Sequence, residues 1–211
     1  HHIEKYPDKR IILLQNEQNV GTYVSRNRAI TVSSDEYITG HDADDTCDSH
    51  YIHHLMQPHL NGQRGIKISA VEYQSRAGKN KSAYCYISQC FNKSLISDIG
   101  YFDSVRFGAD GEFRMRCEAI YGARSIHLIT KSVTGGFLYH ARGGGLTSAA
   151  STGFKSTARA FYAKKFREWH KSHSKGRLKS SFREFPLADR PFKVHPLSLV
   201  RSDWVALPYE D

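Results

Sequence analysis

The sequence lacks a long apolar run, and no stretch approaches the roughly 20 residues of a membrane-spanning helix. No secretory leader is visible, and none of the four cysteines forms a CxxC pair, which argues against a zinc finger or a redox motif. Free thiols of the cytosolic kind are expected. The remaining composition is that of an ordinary soluble globular protein. We therefore predict a cytoplasmic location, with or without peripheral attachment to a membrane.

Acidic residues are scarce in one part of the chain. Residues 155–183 carry ten Lys or Arg and a single acid, Glu168, which accounts for the whole net charge of +9. The rest of the chain is neutral overall, so the positive charge of the basic stretch bears on the surface that meets a partner and not on the fold. Three interpretations remain open for it: a solvated helix face, a surface resting on anionic lipid, or a nucleic-acid contact. Nucleic acid is the least favoured, because the body shows no RNA-binding motif.

Acids are concentrated instead at Asp42, Asp44 and Asp45, directly after the strand-like segment 36–41. Like charges this close repel unless they project into water or a cation neutralises them. Mg²⁺ and Mn²⁺ prefer carboxylate oxygens, and open α/β sheets bind ligands where their strands end. The cluster is therefore either a cation site or a solvated acidic turn before the next helix, and the sequence pattern alone favours the turn.

The order of periodic segments predicts an α/β fold, with strands and helices alternating in the first third. Residues 66–73 and 84–89 are predicted to form a hairpin or a pair of sheet strands. A histidine-rich short helix follows the acidic cluster, but no nearby Glu or Cys completes a zinc site there. The predicted strands are 10–14, 36–41, 66–73, 84–89, 125–130 and 136–140, and the predicted helices are 21–33, 51–60, 92–99, 110–120 and 156–170.

Five motifs in order resemble the large second family of glycosyltransferases, which are inverting enzymes with a GT-A fold. They are Asn19-Val20-Gly21, Arg26-Asn27, the acidic cluster, Ile99-Gly100-Tyr101-Phe102-Asp103 and Gly108-Ala109-Asp110-Gly111-Glu112-Phe113. The resemblance implies a GT-A-like domain over 1–150, in which helices flank a mixed sheet. A basic amphipathic helix and a wrapping tail are predicted over 151–211. The C-terminal pattern is similar to the tails of bacterial members that build surface polysaccharides.

The resemblance also implies the site. The donor would be a nucleotide-diphosphate sugar, held with Mn²⁺ or Mg²⁺, and the acceptor would be a glycan or lipid-linked hydroxyl. Asp44 would be the direct metal ligand and Asp42 would contact the donor ribose or the metal. Further residues implied near the donor, the diphosphate or the metal are Gly21, Arg26, Asn27, His140 and Arg142.

Inverting transfer needs a base that takes the proton from the acceptor hydroxyl. Alignment with the family's acidic pair gives that role to Asp110, with Glu112 as a secondary candidate. The alternative for Asp110 is a helix cap, since Gly108-Ala109-Asp110 opens a predicted helix, and one residue can serve both roles. The family's first strand and nucleotide loop would precede Arg10, and they are expected to be missing from this chain. The alternative is a non-catalytic GT-A-like domain that docks on a membrane or a protein through its basic helix.

Overall fold

The structure is a computed structural model that describes part of the chain. The described residues are 8–43, 45–47, 49–75, 82–129, 137–139, 146, 149–172, 184–187 and 189–200, with the backbone alone for 72–75, 82–88 and 137–139. In chain order they form α1 (Thr22–Val32), β1 (Tyr37–Thr39), α2 (Tyr51–Leu60), β2 (Ile68–Ser75), β3 (Ser82–Asn92), α3 (Leu95–Ile99), α4 (Ala109–Tyr121), β4 (Ile126–Ile129), β5 (Phe137–Tyr139) and α5 (Thr157–Ser172).

The five strands form one mixed sheet with β2 and β3 at its centre. β3 pairs antiparallel with both β1 and β2, and the pairing with β2 contains an irregularity between Ala70 and Glu72. On its other side β2 runs parallel to β4 in its first half and to β5 in its second half. The predicted α/β architecture is therefore confirmed, and the strands predicted at 66–73 and 84–89 are antiparallel neighbours, β2 and β3.

Helices cover both faces of the sheet. Successive strand residues point to opposite faces, so neighbouring residues of one strand contribute to two different cores. Phe91 of β3 packs into the larger core with Phe102 and Phe113, which α1, α3, α4 and α5 complete. The adjacent Cys90 belongs to a smaller core on the other face, under α2. Burying a side chain such as that of Phe113 stabilises the fold by about 1.5–3 kcal/mol, so the larger core anchors the helices that carry the polar residues discussed below.

A glycine with positive φ precedes each of the two helices that later matter most. Gly21 (φ 78°) comes before α1 and Gly108 (φ 83°) comes before α4. At Gly108 a Cβ atom would also lie 3.3 Å from Cδ1 of Tyr162 on α5. Glycine is the residue that adopts this conformation without steric cost, so the backbone conformation before each of these helices depends on its glycine.

The structure corrects two of the sequence-based boundaries. Residues 10–14 were predicted to form a buried strand, but they are irregular, and Ile11, Ile12 and Leu13 are 46%, 66% and 63% exposed. No described strand pairs with this run, so its apolar character does not lead to burial. Residues 92–99 are only half helical, since β3 continues to Asn92 and α3 begins at Leu95.

Candidate active site

The turn after β1 brings Asp42 to α1. The Arg26 guanidinium donates a hydrogen bond to Oδ1 of Asp42, and both side chains remain partly exposed. The turn itself is closed by a bond from the Asp45 backbone N–H to the Asp42 carbonyl oxygen, 3.1 Å long. A carboxylate held beside a guanidinium at a surface turn can meet a ligand without leaving its partner, because each carboxylate oxygen accepts more than one bond.

Asp110 lies in the first turn of α4 and meets α1 as well. The hydroxyl of Tyr23 donates a hydrogen bond of 2.5 Å to Oδ1 of Asp110. Tyr23 is 4% exposed, whereas Asp110 remains partly exposed. Burial raises the pKa of the Tyr23 phenol well above its usual value, and the Asp110 charge raises that pKa further. The phenol therefore stays protonated at neutral pH and acts as a donor.

Tyr23 and Arg26 are three residues apart on α1, so their side chains lie on the same face of the helix. The Arg26 guanidinium carbon is 5.8 Å from the centre of the Tyr23 ring. A continuous series of contacts therefore runs from Asp42 through Arg26 and Tyr23 to Asp110. Three residues that the sequence singled out are brought together by it. Tyr23 was missed, although its helical spacing from Arg26 was a usable signal.

Asn27, the neighbour of Arg26, points inward. Its Nδ2 donates to the Phe102 carbonyl oxygen at 2.8 Å, and its Oδ1 accepts from the Phe102 N–H at 3.1 Å. The side chain is completely buried. The structure thus engages Asn27 in holding the 100–103 turn against α1. Gly21, in the same way, serves the start of α1 through its positive φ. Donor binding by either residue stays a prediction.

Glu112 is two residues beyond Asp110 but lies on the inner side of α4. It is completely buried and accepts hydrogen bonds from Arg116 and from Nε2 of His170 on α5, each 3.0 Å long. Arg116 also donates to the Tyr101 carbonyl oxygen at 2.7 Å. The structure therefore does not bring Glu112 to the exposed surface where Asp110 lies. Its contacts join α4 to α5 and to the turn after α3.

A second buried carboxylate, Asp103, was not singled out as a site residue by the sequence. It accepts hydrogen bonds from Tyr162 of α5 at 3.0 Å and from Arg190 of the C-terminal segment at 2.8 Å. Burial raises the pKa of Asp103, and the Arg190 charge opposes that rise. These contacts fasten the C-terminal segment to the turn beside the candidate site, and Val105 forms a bridge with Leu199 in the same region.

Asp44, His140 and Arg142 lie outside the described residues. Among the described residues, no group of three or more His, Cys, Asp or Glu side chains is placed to hold a metal ion. The donor set nevertheless suits a hard divalent cation, because Asp42 offers carboxylate oxygen at an accessible turn and Asp44 would add a second carboxylate.

No described helix is long and apolar enough to cross a membrane.

Comparison with known proteins gives one family and a distant structural similarity. The profile of glycosyl transferase family 2 matches residues 1–121, whereas no curated protein matches the chain. Among solved structures, the chain is similar to glucosyl-3-phosphoglycerate synthase from Mycobacterium tuberculosis in complex with Mn²⁺, uridine-diphosphate-glucose and phosphoglyceric acid. The identity is 13% and the TM-score 0.42, over 56% of this chain and 46% of that chain.

The family match covers more than half of the sequence and contains all the residues of the contact series from Asp42 to Asp110. It agrees with the mixed sheet flanked by helices, as the predicted GT-A-like fold requires. The matched region ends at the last residue of α4. The chain belongs to glycosyl transferase family 2.

Proposed function

We propose that this protein transfers a sugar from a nucleotide-diphosphate donor to a hydroxyl acceptor with inversion at the anomeric carbon. The observation that carries the proposal is the contact series in which α1 connects Asp42, on the donor side, with Asp110, on the acceptor side. Family membership supports sugar transfer. The separate positions of the two carboxylates support separate roles, Asp42 in binding the donor and Asp110 in deprotonating the acceptor.

Asp110 would act as the base. Its carboxylate is partly exposed, so an acceptor hydroxyl can approach it. The acceptor oxygen bonds to the anomeric carbon as the bond between that carbon and the phosphate oxygen breaks, and the acceptor proton passes to Asp110. The nucleoside diphosphate leaves with the electron pair of the broken bond. Arg26, whose positive charge lies beside Asp42, would favour binding of the anionic diphosphate.

Asp42 and Asp44 would hold Mn²⁺ or Mg²⁺, which when bound stabilises the negative charge that develops on the leaving diphosphate. The carboxylate chemistry of this turn is what supports the assignment. His140 and Arg142 remain predicted contacts of the metal or the diphosphate. Polysaccharide or glycan synthesis is the proposed setting, because the C-terminal sequence pattern is similar to that of bacterial members that build surface polysaccharides.

The experiment is a transfer assay that detects UDP or GDP released from a panel of nucleotide sugars and hydroxyl acceptors, with Mn²⁺ present. We expect turnover with one donor class, and the anomeric configuration of the product, read by NMR, to be opposite to that of the donor. Asp110→Ala should lower kcat by about 10²–10⁴-fold, the usual contribution of a general base. Asp98→Ala, which removes a partly exposed carboxylate bonded to Tyr121, is the matched control. Retained configuration or full activity of Asp110→Ala would exclude the proposed mechanism.

A non-catalytic docking role is the second candidate, and one surface favours it. On and before α5, Lys164 is 71% exposed, and Phe154 and Phe161 are 68% and 37% exposed. The Arg159 guanidinium carbon is 5.2 Å from the centre of the Phe154 ring, and Nζ of Lys165 is 5.8 Å from that of Phe161. Basic side chains beside exposed aromatic rings suit an anionic membrane surface. Sedimentation with vesicles containing phosphatidylserine tests this role: Lys164→Glu and Phe154→Ser should reduce binding, and equal binding to neutral vesicles would argue against it.

A further inference from the structure

Two buried tyrosines of this protein each donate a hydrogen bond to a carboxylate. Tyr162 donates to Asp103 at 3.0 Å, and Tyr23 donates to Asp110 at 2.5 Å. The two carboxylates differ in surroundings. Asp103 is 1% exposed and has Arg190 as a second partner, whereas Asp110 is partly exposed. A structural role explains the first contact completely, but the second contact joins a buried phenol to a carboxylate that meets solvent.

The Tyr23 ring is held firmly. It packs in the larger core, where its centroid is 5.9 Å from that of Phe102, and its hydroxyl donates the hydrogen bond to Asp110. The Asn27 amide, one turn further along α1, fixes the backbone of Phe102 in turn. The direction from which the phenol approaches Asp110 is therefore set by the core and not by the Asp110 side chain.

The hydrogen bond also distinguishes the two oxygens of Asp110. Oδ1 accepts from Tyr23, and no described residue donates to Oδ2. A hydrogen bond at one oxygen restricts rotation of the carboxylate, so it limits the directions that the second oxygen can take. Placing a base within a fraction of an ångström of its proton is worth a large factor in rate, and a misplacement of about 1 Å can cost 10²-fold.

We infer that Tyr23 is the positioning residue for Asp110. Its hydroxyl holds Oδ1 and leaves Oδ2 directed at the acceptor hydroxyl whose proton Asp110 takes. This role rests on the proposed function, since it requires Asp110 to be the base. Tyr23 touches neither the donor nor the reacting atoms in this scheme, so it acts through Asp110 alone. It also explains why α1, which carries Arg26 on the donor side, is connected to α4 on the acceptor side.

The test is a kinetic double-mutant cycle with Tyr23→Phe, Asp110→Ala and the double variant, assayed at saturating donor and acceptor. Tyr23→Phe keeps the buried ring and deletes only the hydroxyl. We expect it to lower kcat about tenfold while the KM of donor and acceptor changes less than twofold. In the Asp110→Ala background the same substitution should cost nothing further, because residues that act as a unit are not additive. Tyr162→Phe is the matched control, and kcat should be unchanged in it.

Each other result is informative. Wild-type kcat in Tyr23→Phe would overturn the inference, and so would an equal loss in both backgrounds, which would indicate an effect on folding or packing. A KM increase without a change in kcat would assign Tyr23 to binding instead. Full activity of Asp110→Ala, or no transfer by the wild-type chain, would overturn the proposed function itself. That failure is recognised before Tyr23→Phe is measured.

Discussion

Arg26 and Asn27 are adjacent in the sequence, yet their side chains make different kinds of contact. Arg26 faces the partly exposed Asp42, while Asn27 is buried and bonds both backbone groups of Phe102. The helix separates them by about 100° of rotation, which follows from 3.6 residues per turn. At the residue scale, the polar signal of the Arg-Asn pair is therefore divided between a surface that can meet a ligand and a contact that holds the core together.

Asn27→Ala should lower the free energy of unfolding by at least about 2 kcal/mol, because it leaves the N–H and the carbonyl of Phe102 buried without their partner. Urea denaturation measures the change. Asn61→Ala is the matched control, since the Asn61 amide bonds Gln57 on the exposed end of α2 and should matter by less than about 0.5 kcal/mol. Equal stabilities of the two variants would contradict the structural role of Asn27.

The sequence could single out candidate site residues but not the direction in which their side chains point. Asp42, Arg26 and Asp110 were identified from motif order, and the structure brings them together. The inward direction of Asn27 and the contact of Tyr23 with Asp110 depend on where the 100–103 turn and α4 pack. These tertiary contacts join residues that are 75 and 87 positions apart in the sequence, so no local sequence pattern predicts them.

At the scale of elements, α4 shows how one helix serves two purposes. Asp110 and Glu112 are two positions apart, which places them about 200° apart around the helix axis. Asp110 consequently meets the surface, and Glu112 meets Arg116 and His170 in the interior. The secondary catalytic role of Glu112 stays a prediction, which these contacts do not favour.

Glu112→Ala should destabilise the fold by about 3–5 kcal/mol, the cost of leaving a buried charge such as Arg116 without its partner. Glu118→Ala, on the same helix, removes the partly exposed partner of Arg114 and should cost less than about 1 kcal/mol. Thermal or urea unfolding distinguishes the two. A Glu112→Ala protein that is as stable as wild type but inactive would instead assign Glu112 to catalysis.

The loop between β1 and α2 offers a second test at this scale. Cys47 is exposed and follows the acidic cluster by two residues, whereas burial raises the pKa of the Cys90 and Cys117 thiols to about 11. Alkylation at pH 8, located by mass spectrometry, should therefore modify Cys47 well before Cys90 or Cys117. A bound nucleotide with Mn²⁺ should slow the reaction of Cys47. Unchanged labelling at saturating nucleotide would place the donor elsewhere.

At the scale of the whole molecule, the order of strands and helices was predictable because strands and helices have different hydrophobic periods. The mixed sheet, the hairpin of β2 and β3 and the helix α5 were found close to their predicted positions. The apolar run at 10–14 was not, because burial of a strand depends on a neighbour that pairs with it. A wrapping tail was predicted, but its particular contact between Arg190 and Asp103 could not be, since the two residues lie 87 positions apart.

We propose that the turn at Asp42 binds a nucleoside diphosphate together with a divalent cation. Calorimetric titration with UDP, and then with GDP, with and without Mn²⁺, measures this binding. We expect one nucleotide to bind only when Mn²⁺ is present. Asp42→Asn should weaken that binding at least tenfold, which is about 1.4 kcal/mol, and Asp98→Asn should leave it unchanged. Binding of neither nucleotide, or binding that is indifferent to both Mn²⁺ and Asp42→Asn, would show that this turn is not the donor site.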